Sequence, residues 1–442
     1  MKRFGMSFLA VLFAVLAWGA CAPIACAARP VEKTAAGAKQ GFYLKDGDRI
    51  VFYGDSITDQ RLYTTYIETY CRTRFPRQHF TFVHSGWGGD RVSGGGGGPI
   101  DVRLRRDVLA YKPTVVTICL GMNDGGYRAL DQGLFDQYVK GYEHILDTLK
   151  KELPGVRITL LTAPAFDDVT RAPSFPGGYN QVLIAYGDAV KKLGAKYDLV
   201  VADTNAPLVA ALEKAKASNA ALAEKIIPDR VHPMYGGHLV MAAAVLKAWN
   251  APETVAEIQI DANERRVSKH ANTRITNFEA APEGIRFTHT DNALPWPMDR
   301  DPQQNPDMLL TLASTDIEHT LNRFTLKVTG LHAGTYTLKV DGTDFGMFTS
   351  DDIGIGLNLA AVPNLPANIQ AAEVLGLTRK HNDLHFRRWR QVQVPNAKNG
   401  EEVAPDIKKQ MDDLDAQEAE VVKQLQTAAL PKPHTVELIA VR

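Results

Sequence analysis

Only four cysteines occur among the 442 residues, and two of them, Cys21 and Cys26, lie in the N-terminal segment 1–28. The remaining pair permits one disulfide but provides no disulfide framework. Cys119 sits in the apolar run TVVTICLG and reads as a buried core thiol; Cys71 sits beside Tyr70 and Arg72 in a helical pattern. No Cys or His pair has zinc-ligand spacing and HExxH is absent, so no metal site is expected. Neither GxxxxGK[ST] nor GxGxxG occurs at a strand-to-helix turn, which excludes the usual phosphate loops. Net charge is also lacking: 50 Lys and Arg offset 50 Asp and Glu. That balance gives no global field to gather nucleic acid, and the expected partner is a small molecule or a neutral polymer.

Long apolar runs are missing too. The longest useful one, Phe8 to Trp18, follows Lys2 and Arg3 and precedes the small residues Ala25, Cys26 and Ala27. It falls short of the ~20 residues a membrane span needs. The layout is that of a secretory signal peptide over residues 1–28, cleaved near Ala27 or Ala28. A secreted or periplasmic protein is expected, with no membrane anchor after cleavage.

What is present is apolar material for two globular units: 45% of the residues are hydrophobic and 23% charged, in a chain too long for one typical domain. After a small-residue tether from Arg29 to Gln40, short β-branched runs alternate with helical patterns. They are RIVFYG from Arg49, FTFVHSG from Phe80, TVVTICLG from Thr114, RITLLTAP from Arg157 and DLVVADTN from Asp198. Each is apolar on both alternations, as strands buried on both faces are. The pattern predicts an α/β fold over residues 41–252: a three-layer α/β/α, flavodoxin-like parallel sheet with ligands at the strands' carboxyl ends. From residue 253 short alternating strands take over and predict a β-rich accessory module to residue 442, with helical insertions at Pro366–Arg390 and Pro405–Ala428. Within it, RFTLKVTGLHAGTYTLKVDGTDFGMF reads as a hairpin with Gly334 and Asp341–Gly342 as turn residues.

Polar residues collect where the predicted strands end. FYGDSITD places Ser56 just past the first strand, though Gly-Asp-Ser is also ordinary turn and capping chemistry. Serine needs a base that is itself held in place. IPDRVHPMYGGH supplies Asp229 and His232, three apart in a loop before the last helix of the α/β unit, where a carboxylate can fix the imidazole tautomer. His238 sits inside an apolar helical pattern and reads as packing. Donors for a developing oxyanion are offered by the glycines of HSGWGGD and by Asn123 in LGMND, which is otherwise a simple turn. The run Gly94–Gly98 reads as a mobile loop on the rim of the cleft, closed by Pro99.

GDSIT (Gly54–Thr58), GWGGD (Gly86–Asp90), GMND (Gly121–Asp124) and DRVH (Asp229–His232) together resemble, in order, the four signature blocks of the SGNH or GDSL hydrolase family. The resemblance covers about residues 47–250 and implies Ser56 as nucleophile, His232 as base and Asp229 as triad acid. The oxyanion donors it implies are the N–H groups of Ser56 and Gly89, with Gly88 the alternative, and the Asn123 side chain. Asp55, Trp87, Asp90 and Asp124 are candidates for the substrate pocket. The implied activity is ester hydrolysis through an acyl-enzyme, with no metal and no organic cofactor.

Export, balanced charge and Trp87, whose indole face can stack on a sugar ring, lead to the expectation of an acetyl ester on a carbohydrate. Trp87 filling a gap between helix and sheet is the alternative use of that side chain. A lipid-directed esterase or lysophospholipase and a thioesterase share the same four blocks. An inactive glycan-binding protein is the reading from another class, and it has no need of Ser56, Asn123, Asp229 and His232 together. The segment RKHNDLHFRRWR, Arg379–Arg390, reads as the solvated face and last turn of a helix, with a grip on an acidic polysaccharide as its other reading.

Overall fold

In a computed structural model, residues 41–397 and 402–441 are described; the expected leader over residues 1–28 lies outside them. Five strands, β1 (Arg49–Gly54), β2 (Thr81–Gly86), β3 (Val115–Cys119), β4 (Arg157–Leu161) and β5 (Val200–Ala202), form one sheet in the order β2-β1-β3-β4-β5. Every pairing is parallel. All five residues of β3 are buried, which accounts for its unbroken apolar run. Because the chain steps from β1 outward to β2 and then back past β1 to β3, a crevice opens at the carboxyl ends of β1 and β3.

The connecting helices are α1 (Ser56–Asp59), α2 (Leu62–Arg74), α3 (Ile100–Asp107), α4 (Gln132–Glu152), α5 (Gly178–Tyr197), α6 (Asn205–Ser218) and α7 (Tyr235–Ala248). Helices α2 and α6 pack on α7, while α4 packs on α5. Right-handed crossovers put these two sets on opposite faces of the sheet, which gives the three-layer α/β/α arrangement. Cys71 and Cys119 are both buried and free.

Residues 254–440 add two sheets around a second apolar core. One runs Thr273–Ala281, Gly284–Asp291, His434–Ala440, Thr335–Val340, Thr343–Thr349; the other runs Leu357–Asn358, Arg323–Thr329, Thr254–Asp261, Arg266–Ala271. The expected hairpin is half right. Asp341 and Gly342, both at positive φ (49° and 80°), make the tight turn into Thr343–Thr349. Arg323–Thr329 and Thr335–Val340, however, belong to different sheets, so the chain at Gly334 changes sheet. Both strands alternate inward and outward and send Phe324, Leu326, Tyr336 and Leu338 to the same core. Alternation reports the inward face and not the sheet.

Two segments of this second part join the first. Trp296, Met308 and Leu312 are buried in the α/β core, and the Trp296 indole N–H donates to Tyr66 O at 3.0 Å. Helix α8 (Pro366–Phe386) lies on α2 and against α9 (Pro405–Ala428). Between them Glu68, fully buried, accepts from Arg72 and His84 and meets His381 at 3.2 Å; His381 also meets Glu418 at 3.0 Å. Burial alone lowers an imidazole's pKa, but Glu68 and Glu418 outweigh it and hold His381 up at about 10, while Glu68 lies well below the usual carboxylate range.

A raised histidine pKa stabilises the fold fully below the unfolded value of 6.5 and progressively less as pH rises toward about 10. His381→Gln is therefore expected to cost about 3–5 kcal/mol near neutral pH, the usual loss when one partner of a buried pair is removed. The gap between parent and variant should close as pH passes 10, read as the difference in urea midpoints across the pH series.

Candidate active site

β1 ends at Gly54, where a Cβ would stand 2.2 Å from the Thr58 hydroxyl and 2.6 Å from Cys119 O. Only glycine lets the chain turn so tightly into α1. Asp55 caps that helix, its Oδ1 accepting from Ile57 N–H at 3.0 Å. Ser56 is thereby set at the first helical position, over the crevice, with an N–H that has no intrahelical acceptor.

Ser56 Oγ lies 2.8 Å from His232 Nε2, and His232 Nδ1 lies 2.6 Å from Asp229 Oδ2. The other carboxylate oxygen of Asp229 accepts the backbone N–H groups of Val231 (2.9 Å) and His232 (2.8 Å). Partial burial pushes the Asp229 pKa up, but these donors and the imidazole outweigh it and hold it below its ordinary value. Arg230, at φ 72°, makes the turn between the two side chains. Its carbonyl accepts from Asp167 N–H at 2.9 Å, and its guanidinium reaches Asp168 at 3.3 Å and Ala172 O at 2.9 Å. The loop after β4 thus anchors the Asp–His pair. His238 is buried, as expected from its helical pattern: its Nδ1 accepts from Tyr63 N–H at 3.2 Å. Burial and the nearby His232 lower its pKa to about 3, so it is neutral.

The loop after β2 is a turn in which Asp90 N–H donates to Trp87 O at 3.1 Å. Gly89, third of its four residues, has φ +77°, the mark of a type II turn. Gly88 N–H donates to Asp59 Oδ2 at 3.1 Å, whereas Gly89 N–H has no acceptor among the described residues. Asn123, after β3, donates one Nδ2 hydrogen to Asp90 O (3.0 Å) and accepts the Tyr127 hydroxyl at Oδ1 (2.8 Å). Its second amide hydrogen is left over. Tyr127 is held protonated: burial, with the charges of Asp55 and Asp229, raises its pKa to about 12. Sequence reasoning missed it; the one available signal was its place four residues after Asn123 in the same loop.

Residues 52–240 match the model of the GDSL-like Lipase/Acylhydrolase family. This segment is a GDSL-like acylhydrolase domain. Over 220 residues, 46% of this chain, it is 28% identical to an acetylxylan esterase of Geobacillus stearothermophilus, of which 93% is covered. The solved structure of a gut microbial diltiazem-metabolizing enzyme superposes on 90% of this chain and 98% of its own, at 25% identity and a TM-score of 0.77. The protein is an ester-bond hydrolase, and the likeness over nine-tenths of the chain extends beyond the acylhydrolase domain into the β-rich part.

Within the acylhydrolase domain each of the four pocket candidates makes contacts inside the protein. Asp55, Asp90 and Asp124 are all buried. Burial, with the charges of Asp124 and Asp90, pushes Asp55 up to about 8, and burial pushes Asp124 up to about 6. Asp90 pairs with the buried Arg103 at 2.6 Å, and Asp124 accepts from Val92 N–H at 3.0 Å. Trp87 is half-buried, and the Arg390 guanidinium lies on one face of its ring. The glycine run is packed rather than a loose lip: Gly94–Gly95 and Gly98–Pro99 pair as a small ladder. A Cβ on Gly97 would stand 2.7 Å from the Trp87 ring and from Arg103. Among the described residues no group of three His, Cys, Asp or Glu side chains is arranged to hold a metal ion.

Proposed function

We propose that this hydrolase is an exported serine esterase that removes acetyl groups from a carbohydrate through an acyl-enzyme on Ser56. The observation that carries the reading is the line Ser56 Oγ, His232, Asp229, at 2.8 Å and 2.6 Å, beside the Gly89 N–H, which has no acceptor among the described residues. In this reading His232 Nε2 takes the Ser56 proton as Oγ attacks the ester carbonyl. The negative charge that develops is met by the N–H groups of Ser56 and Gly89 and by Asn123 Nδ2. His232 then protonates the leaving alcohol and activates the water that frees the acid, while Asp229 steadies the imidazolium.

The acetyl-carbohydrate assignment is supported by the similarity to an acetylxylan esterase; export is supported by the charged, apolar and small-residue layout of residues 1–28. The likeness across most of the chain to a diltiazem-metabolizing enzyme favours a small drug-like ester as the second reading. Acetate release from acetylated xylan, run beside a 4-nitrophenyl ester series from acetyl to octanoyl, separates these: hydrolysis of the nitrophenyl acetate with no acetate from the polymer favours the small ester. The proposal expects acetate from the polymer and kcat/KM falling with acyl length. Rising kcat/KM with no acetate release would replace it with a lipid substrate.

A further inference from the structure

The basic, aromatic segment Arg379–Arg390 is not a solvated helix face. His381, His385 and Trp389 are buried, and α8 continues into a wide π-helical turn, Arg387–Gln393. Such turns recur at functional sites. Trp389 fixes this one, its indole N–H donating to Asp107 Oδ1 at 2.6 Å, and Asp107 in turn holds Arg103 and Arg106. The next side chain, Arg390, then falls on Trp87 and lies 3.7 Å from Asp59 Oδ2.

Those two contacts meet the turn that carries Gly89. Trp87 is its first residue, and Asp59 accepts the N–H of its second, Gly88. In a type II turn the central peptide, which contains the Gly89 N–H, is flipped relative to type I. The direction of that N–H therefore depends on what holds Trp87 and Gly88. From this juxtaposition we propose that Arg390, supplied by the C-terminal module, is a positioning residue that keeps the Gly89 N–H aimed at the oxyanion by fixing Trp87 and Asp59. The inference rests on the serine-esterase reading above. It makes the C-terminal module part of the active centre.

A contact that orients a donor used in the transition state acts on kcat and leaves KM nearly unchanged. In the full chain with 4-nitrophenyl acetate, Arg390→Ala is expected to lower kcat about tenfold with KM within about twofold, and Asp59→Asn to do likewise. The double variant should be no worse than the poorer single, since both act on one turn. Arg390→Lys keeps the charge near Asp59 and should recover part of the loss; it and Asp59→Asn carry the test if Arg390→Ala does not fold. Arg388→Ala is the control: Arg388 is on the same helical turn but pairs with Asp415 at 2.9 Å, and its kcat should equal the parent's. Unchanged kcat in Arg390→Ala, additive losses in the double variant, or an equal loss in Arg388→Ala would each overturn the proposal. Ser56→Ala run alongside distinguishes the two claims, because activity surviving in that variant sinks the esterase reading itself.

Discussion

Replacing His232 by alanine is expected to lower kcat on 4-nitrophenyl acetate by about 10⁴–10⁶-fold with little change in KM, and Ser56→Ala to do the same. Both effects follow from the 2.8 Å contact between Ser56 Oγ and His232 Nε2. Without the imidazole the hydroxyl keeps its proton, and without the hydroxyl there is no nucleophile to activate. Asp229→Asn tests the third member by a different route. An asparagine can still accept the N–H groups of Val231 and His232, so the loop keeps its shape. Its amide, however, donates toward His232 Nδ1, which places the ring proton on Nε2 and blocks the base. The loss should be smaller than the roughly 10⁴ of a buried triad acid, because the Asp229 side chain is 55% exposed and water supplies part of what it gives. Initial rates of the purified variants at one pH decide this order.

Asn123→Ala should lower kcat by about 10²–10³-fold, the usual loss of one oxyanion donor. The side chain is fixed at both ends by Asp90 O and the Tyr127 hydroxyl, so its remaining N–H needs no reorganisation as charge develops. Tyr127→Phe removes one neutral hydrogen bond and leaves the amide in place. About a two- to tenfold fall in kcat is the corresponding expectation. An Asn123→Ala variant with parental kcat and raised KM would mean that Asn123 binds the ground state instead.

The α/β half was legible because its strands are short, apolar on both faces and separated by helices, and because Ser56 and Asn123 follow strands while Asp229 and His232 stand three apart in the loop before the last helix. Ser56, Asp229, His232 and Asn123 could be placed for that reason. What escaped was packing between parts distant in the chain. Five consecutive glycines look mobile when Trp87 and Arg103, against which they lie, are not known to be there. A helix rich in His and Arg looks solvated until the buried Glu68 and Asp107 and the half-buried Glu418 are found against it. Trp296 and Leu312 cross to the neighbouring α/β core, and no strand or helix periodicity marks such a crossing. The three aspartates assigned to the pocket have the residue types of a binding site, but each is committed to a backbone N–H or to Arg103.

The central claim, covalent catalysis by Ser56, is met most directly by labelling the protein with a fluorophosphonate and locating the adduct by peptide mass spectrometry. One phosphonyl group is expected, on the peptide carrying Ser56, with activity lost in step with labelling and no adduct on Ser56→Ala. An adduct on another residue, or full esterase activity with Ser56 replaced, would contradict it.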